Sequence, residues 1–289
     1  MEQTDKPRVY FLHGLLGTAY AHFSEQIQRW GDRYELVPVD LPGHGKCRLD
    51  AADDYLDQAL DYVVALLEKF GAGRLVAASH LGAPVAVRCA EARPDLVESL
   101  VLTGFAPDAE REPFLRMLAG FQLLGEDRAD LAEEYDRLHG PRWRRTIAAF
   151  AGHTERAFAE LVRVDAARLG ALGVPVALVN GTFKSAEQSA AERASGFGPL
   201  VTGRVIDGAG HIASHDAPEE FCVAAEEFWT TVALRALLQE TDVRRPLDSL
   251  ETVVVRTHLT SAGLAPGEPP NPNTIEGWGA WAVRRSPVS

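Results

Sequence analysis

Leu75-Val76-Ala77-Ala78-Ser79-His80-Leu81-Gly82-Ala83 joins an apolar run to a helix-forming one through a cluster of small residues. The pattern reads as strand, sharp turn, helix. That is the layout of a nucleophile elbow, usually written G-x-S-x-G, with the reactive residue at the tip of a strained turn. Small residues flank such a tip because the backbone is crowded there. Ala78 and Gly82 bracket His80, which puts the imidazole at the tip. Ser79 then falls one residue early, and taking it as the tip sets Leu81 where a small residue is expected. On this reading a histidine stands where a hydroxyl nucleophile is usual. Ser79 points into the core behind the elbow and remains only a supporting hydroxyl.

The flanking sequence repeats an alternation of apolar strands and helical segments, which implies a parallel sheet covered on both faces. Arg8-Val9-Tyr10-Phe11-Leu12 reads as a strand ending in His13-Gly14-Leu15-Leu16-Gly17. Glu35-Leu36-Val37-Pro38-Val39-Asp40 reads as a second, running into Leu41-Pro42-Gly43-His44-Gly45. Leu56, Leu60, Val63, Leu67 and Phe70 keep helical spacing over Tyr55 to Phe70, with Asp53 or Asp54 before it and Gly71 after it. A helix from Gly82 to Arg93 follows the elbow, with Pro84 in its first turn. Leu100 to Thr103 and Val174 to Gly181 are further strands, and Val205-Ile206-Asp207-Gly208-Ala209-Gly210-His211 closes the series.

Taken in order, these five motifs resemble the α/β-hydrolase superfamily of the helical-cap type over about residues 7 to 238. The resemblance implies a mostly parallel central sheet with helices on both faces. It implies a core from 1–106 and 169–238 and a helical cap over 107–168. Phe114, Met117, Phe121, Leu123, Trp143 and Phe150 are the cap residues that face either a substrate or the core. Residues 239–289 form an extension outside the family pattern. Glu251-Thr252-Val253-Val254-Val255-Arg256 reads there as a strand, and Glu268 to Asn273 as a loop. The extension packs on the core, joins a homodimer or closes over the pocket.

The chain has 289 residues and a net charge of -12, which argues against nucleic acid and anionic membrane as partners. No apolar run is long enough to span a membrane, and no N-terminal stretch reads as a signal peptide. Cys47, Cys89 and Cys222 are scattered without metal spacing and read as reduced thiols. A cytoplasmic bacterial protein is expected. No cofactor fingerprint is visible.

The resemblance also assigns site residues. His211 takes the position of the catalytic base. The acid position, three residues beyond Gly181, holds Lys184, which cannot accept an imidazole N–H. Lys184 then turns outward, and Glu187 or Asp207 orients His211. The loop Thr103-Gly104-Phe105 offers no carboxylate. Backbone N–H groups of Leu15 and Leu81 are the expected oxyanion donors. His13 and His44 surround the pocket; a metal site built from them with His80 and His211 is an alternative, but no metal is expected.

His80 keeps three readings: an acid–base partner of His211, a covalent nucleophile, or a relic in a protein that binds without catalysing. The first is preferred. It implies a biosynthetic lyase, cyclase or isomerase acting on a small apolar, polyketide-like carbonyl compound. The second implies an ester or thioester hydrolase or acyl transferase. The third implies a ligand- or partner-binding pseudohydrolase.

Overall fold

A computed structural model describes residues 6–285, with the side chains of 124–126 outside that description. Residues 1–5 of the expected core and 286–289 of the expected extension likewise lie outside the described residues. The chain divides into two compact units, residues 1–218 and 219–289. The division falls earlier than the boundary at 238 expected from the sequence, because the long helix from Pro218 groups with the C-terminal helices.

The first unit is built on six strands, β1 (Arg8–Leu12), β2 (Glu35–Val39), β3 (Gly73–Ala78), β4 (Val97–Thr103), β5 (Val176–Gly181) and β6 (Val201–Ile206). They form one sheet in the order β2-β1-β3-β4-β5-β6, with every neighbouring pair parallel. The connecting helices are α1 (Ala19–Trp30), α2 (Tyr55–Phe70), α3 (Ser79–Ala92), α4 (Arg111–Asp127), α5 (Ala129–His139), α6 (Trp143–Leu161), α7 (Ala166–Gly170), α8 (Ser185–Arg193) and α9 (Ala213–Asp216).

Strand alternation sends Phe11 to one face, where it packs against Phe23 and stacks on Trp30 of α1. Tyr10, Leu12, Leu75 and Leu102 belong to a core with Val63 and Leu67 of α2 and Val85 of α3. Both faces are therefore covered, as near-continuous apolar strands require.

Helix α3 begins at Ser79, three residues before the expected Gly82. Its start is kinked: His80 has φ -77 and ψ 15. A proline clashes with the carbonyl four residues back. For Pro84 that carbonyl belongs to His80, whose departure from helical ψ makes room. Helices α4, α5 and α6 lie between β4 and β5, over the segment expected to be the cap. Trp143 and Ile147 bury with Leu16 and Ala132 in a small cluster of their own.

The second unit contains α10 (Pro218–Leu238), α11 (Ser249–Ser261) and α12 (Ile275–Val283). The strand expected at Glu251–Arg256 is helical. Asp248 accepts from the Glu251 N–H while the Glu251 side chain accepts from the Asp248 N–H, a reciprocal cap that outweighs the β preference of three valines. Trp278 and Trp281 lie in a local core with Leu234, Val255 and Leu259. Among the described residues, no helix is long and apolar enough to cross a membrane, and all three cysteines are buried and free.

Candidate active site

The turn between β3 and α3 turns the backbone at Ser79, not at His80. Ser79 has φ +62, a left-handed value that few non-glycine residues adopt, whereas His80 has φ -77. The expectation that His80 occupies the tip is therefore corrected. Two close approaches explain the small residues. A Cβ on Gly14 would lie 2.7 Å from the Ser79 Cβ, so the loop after β1 passes the turn only as glycine. A Cβ on Gly82 would lie 2.6 Å from the Leu12 carbonyl oxygen and 2.8 Å from that of His13. Gly82 is small because α3 crosses the end of β1, not because it flanks the tip. Leu81 is accommodated as a fully buried core residue.

The Ser79 Oγ lies 3.3 Å from His211 Nε2. His211 Nδ1 lies 2.7 Å from Glu187 Oε1. An ionised carboxylate can only accept, so in this pairing His211 Nδ1–H is the donor and the Nε2 lone pair is left to face the serine hydroxyl. Of the two acids left open by the sequence, Glu187 is the one in contact; Asp207 instead accepts from the Thr182 hydroxyl at 3.5 Å. Glu187 sits in the first turn of α8, beyond the position counted from Gly181, which is why Lys184 fell on the expected acid site. Asn180 pins this corner: its Nδ2 donates to the carbonyls of Phe105 and Glu187 at 2.8 and 2.9 Å. Gly104, at φ +58, backs His211 so closely that a Cβ would meet the His211 carbonyl oxygen at 2.3 Å.

His80 does not pair with His211. Its ring is packed between Phe105 and Phe114, with centroids at 5.2 and 5.4 Å, and its Nδ1 is buried without a partner. Burial first, and the nearby His211 second, push its pKa down to about 4, so it is neutral near pH 7.

Four other histidines hold the loops around the turn. His13 donates from Nδ1 to the Gly14 carbonyl (2.8 Å) and accepts from the Leu41 N–H at Nε2 (2.9 Å). His44 accepts from the Leu16 N–H at 3.2 Å, and its Nδ1 lies 3.1 Å from the Pro42 carbonyl. His139 bridges the Gly45 N–H and the Leu16 carbonyl. His22, which sequence reasoning missed, accepts from the Gly14 N–H at 3.1 Å. Burial is the largest cause lowering each pKa: His13 to about 4, His22 to about 3, His44 well below the usual value, and His139 in the same direction. With both ring nitrogens of His13 and His44 engaged by backbone, neither has a lone pair free for a metal. Among the described residues no group of three or more such side chains is placed to hold one.

The Gly14 carbonyl accepts a second hydrogen bond from the Gly17 N–H at 3.0 Å. In a trans peptide the carbonyl of Gly14 and the N–H of Leu15 point in opposite directions. Two donors on that carbonyl therefore fix the Leu15 N–H as well. A cavity of about 490 Å³ opens over Ser79. Leu15, Leu81, His22, His80 and Lys184 line it, as do the cap residues Phe114, Met117, Phe121 and Phe150. Of the other cap aromatics and leucines singled out from the sequence, Trp143 is buried within the cap and Leu123 is exposed.

A model of the Alpha/beta hydrolase family matches residues 9–225. The chain belongs to that family. Among solved structures, this alpha/beta hydrolase is 56% identical to NosK from Streptomyces actuosus; the match covers 79% of this chain and 100% of that one, with a TM-score of 0.78. It is 22% identical to E-2-(acetamidomethylene)succinate hydrolase, covering 78% and 92%, with a TM-score of 0.59, a likeness of fold. Among curated proteins, it is 30% identical to the 2-(acetamidomethylene)succinate hydrolase of Mesorhizobium japonicum over 44% of this chain and 48% of that protein. It is 39% identical to the pimeloyl-[acyl-carrier protein] methyl ester esterase of Nitrosomonas europaea over 28% and 31%. The alignments thus span about half or less of the curated relatives they match.

Proposed function

We propose that this alpha/beta hydrolase is a serine enzyme that cleaves a small ester or thioester through an acyl–Ser79 intermediate. The observation that carries this reading is the Ser79–His211–Glu187 relay on a strained turn at the floor of a largely apolar cavity. The 3.3 Å separation of Ser79 and His211 is long, as catalytic hydrogen bonds often are before substrate binds.

The chemistry follows from the relay. His211 Nε2 takes the proton as Ser79 Oγ attacks the carbonyl carbon. Glu187 holds the ring in the tautomer that exposes that lone pair and stabilises the imidazolium that forms. The oxyanion is met by backbone N–H groups. Leu15 supplies one. With Ser79 at the tip, the residue after the nucleophile is His80, so the second donor is the His80 N–H rather than that of Leu81. Imidazolium then protonates the leaving oxygen or sulfur, and water or another nucleophile, deprotonated by His211, releases the acyl group. The cap residues Phe114, Met117 and Phe150 suit an apolar acyl body.

A lyase, cyclase or isomerase with His80 and His211 as an acid–base pair rested on the loss of the serine and the carboxylate. Both stand in the relay, and His80 faces two phenylalanines. The same relay argues against covalent chemistry on His80 and against a site that only binds. The names of the two curated relatives, a 2-(acetamidomethylene)succinate hydrolase and a methyl ester esterase, agree with acyl cleavage. Hydrolysis of a panel of 4-nitrophenyl esters and acyl thioesters tests this reading. Turnover should be lost in S79A and survive in H80A; the reverse pattern would refute it.

A further inference from the structure

Six polar side chains line the cavity above Ser79, and four are committed to the protein. Ser79, His211 and Glu187 bond to one another, and His22 holds the Gly14 N–H. The other two are His80, a neutral ring between phenylalanines, and Lys184. Among the described residues, nothing pairs with the Lys184 ammonium. The nearest acid in sequence, Glu187, is engaged by His211.

The Lys184 backbone is nonetheless fixed. The Phe183 N–H donates to the Ala209 carbonyl at 3.1 Å, and the Lys184 carbonyl accepts from the Gln188 N–H at 2.9 Å. The segment that leads into α8 thus sets Lys184 in the lining of the same cavity as Glu187 and His211. An ammonium on a flexible stem offers three donors to an anion. It does so in a chain of net charge -12, whose overall field repels anions.

We propose that Lys184 is a specificity-determining residue that recognises a carboxylate on the acyl substrate, remote from the reacting carbonyl. This deepens the acyl-transfer reading and rests on it. The enzyme's preferred substrates are then hemiesters or hemithioesters of dicarboxylic acids, with the apolar chain between the two carbonyls lying along the cap residues. Because Lys184 is exposed, its effect is modest, roughly five- to ten-fold.

The test compares 4-nitrophenyl hydrogen glutarate with 4-nitrophenyl methyl glutarate, an anionic and a neutral ester of equal length. Wild type should favour the anionic ester in kcat/KM. That ratio should fall roughly five- to ten-fold in K184Q, mostly through KM, and be largely restored in K184R. Added NaCl should erode the wild-type preference and leave K184Q unmoved. A ratio that is the same in wild type and K184Q overturns the proposal. If neither ester is turned over, calorimetry with glutarate and dimethyl glutarate decides it: tighter binding of glutarate, lost in K184Q, supports the role, and equal affinities overturn it. Failure of the serine reading shows separately, as neutral-ester turnover that survives S79A.

Discussion

A serine hydroxyl is a weak nucleophile until a base and an oxyanion site converge on its Oγ. At Ser79 the left-handed backbone lifts the hydroxyl out of the strand end toward His211, and Gly14 leaves room for it. S79A should lower kcat on an activated ester by on the order of 10⁴-fold or more, since such relays act as a unit. E187Q should cost on the order of 10³-fold, because the amide orients His211 less strictly and stabilises imidazolium less. Stopped-flow release of 4-nitrophenolate measures both; an E187Q enzyme as fast as wild type would exclude the carboxylate from the relay. His211 and Glu187 were legible in the sequence, the first from its Gly210-His211 loop and the second as one of two acids. The tip was not. Spacing rules count small residues without knowing which neighbour each one answers, and Gly82 answers the carbonyls of Leu12 and His13.

Elements were legible where one physical signal dominated. The helix Tyr55–Phe70 follows its apolar spacing from end to end, and five of the six strands follow apolar runs, the exception being β6, which carries Thr202, Gly203 and Arg204. The segment Glu251–Arg256 failed because a β-branched run was weighed above the Asp248…Glu251 cap spacing that starts a helix. The elbow itself depends on helix α3 lying close over β1. Gly82→Val should therefore force α3 away from the Leu12 and His13 carbonyls, with a loss of about 1–3 kcal/mol typical of overpacking. Urea unfolding measures the loss, and esterase activity should fall with it because Ser79 starts the same helix. Unchanged stability and activity would contradict the close crossing.

At the scale of the whole molecule, six histidines, His13, His22, His44, His80, His139 and His153, have their pKa lowered chiefly by burial. Their folded pKa values lie below the ordinary value, so the unfolded chain binds more protons as pH falls. The stability they contribute is complete above about pH 6.5 and is lost on acidification toward about pH 4 and below. Each histidine so held adds up to about 1.4 kcal/mol per pH unit to that slope. Urea midpoints between pH 7.5 and 4.5 should fall steeply; a flat profile would mean that these rings take up protons without opening the fold. The division into two units at residue 218 was not legible, because the apolar pattern of Pro218–Leu238 continues the family's run without a break in composition.

The central claim is that Ser79, and not His80, forms the covalent bond to substrate. Reaction with diisopropyl fluorophosphate, followed by intact mass and peptide mapping of wild type, S79A and H80A, tests it most directly. One phosphoryl adduct mapped to Ser79, absent from S79A and present in H80A, is the predicted result. An adduct on His80, or one that forms in S79A at the wild-type rate, would contradict it.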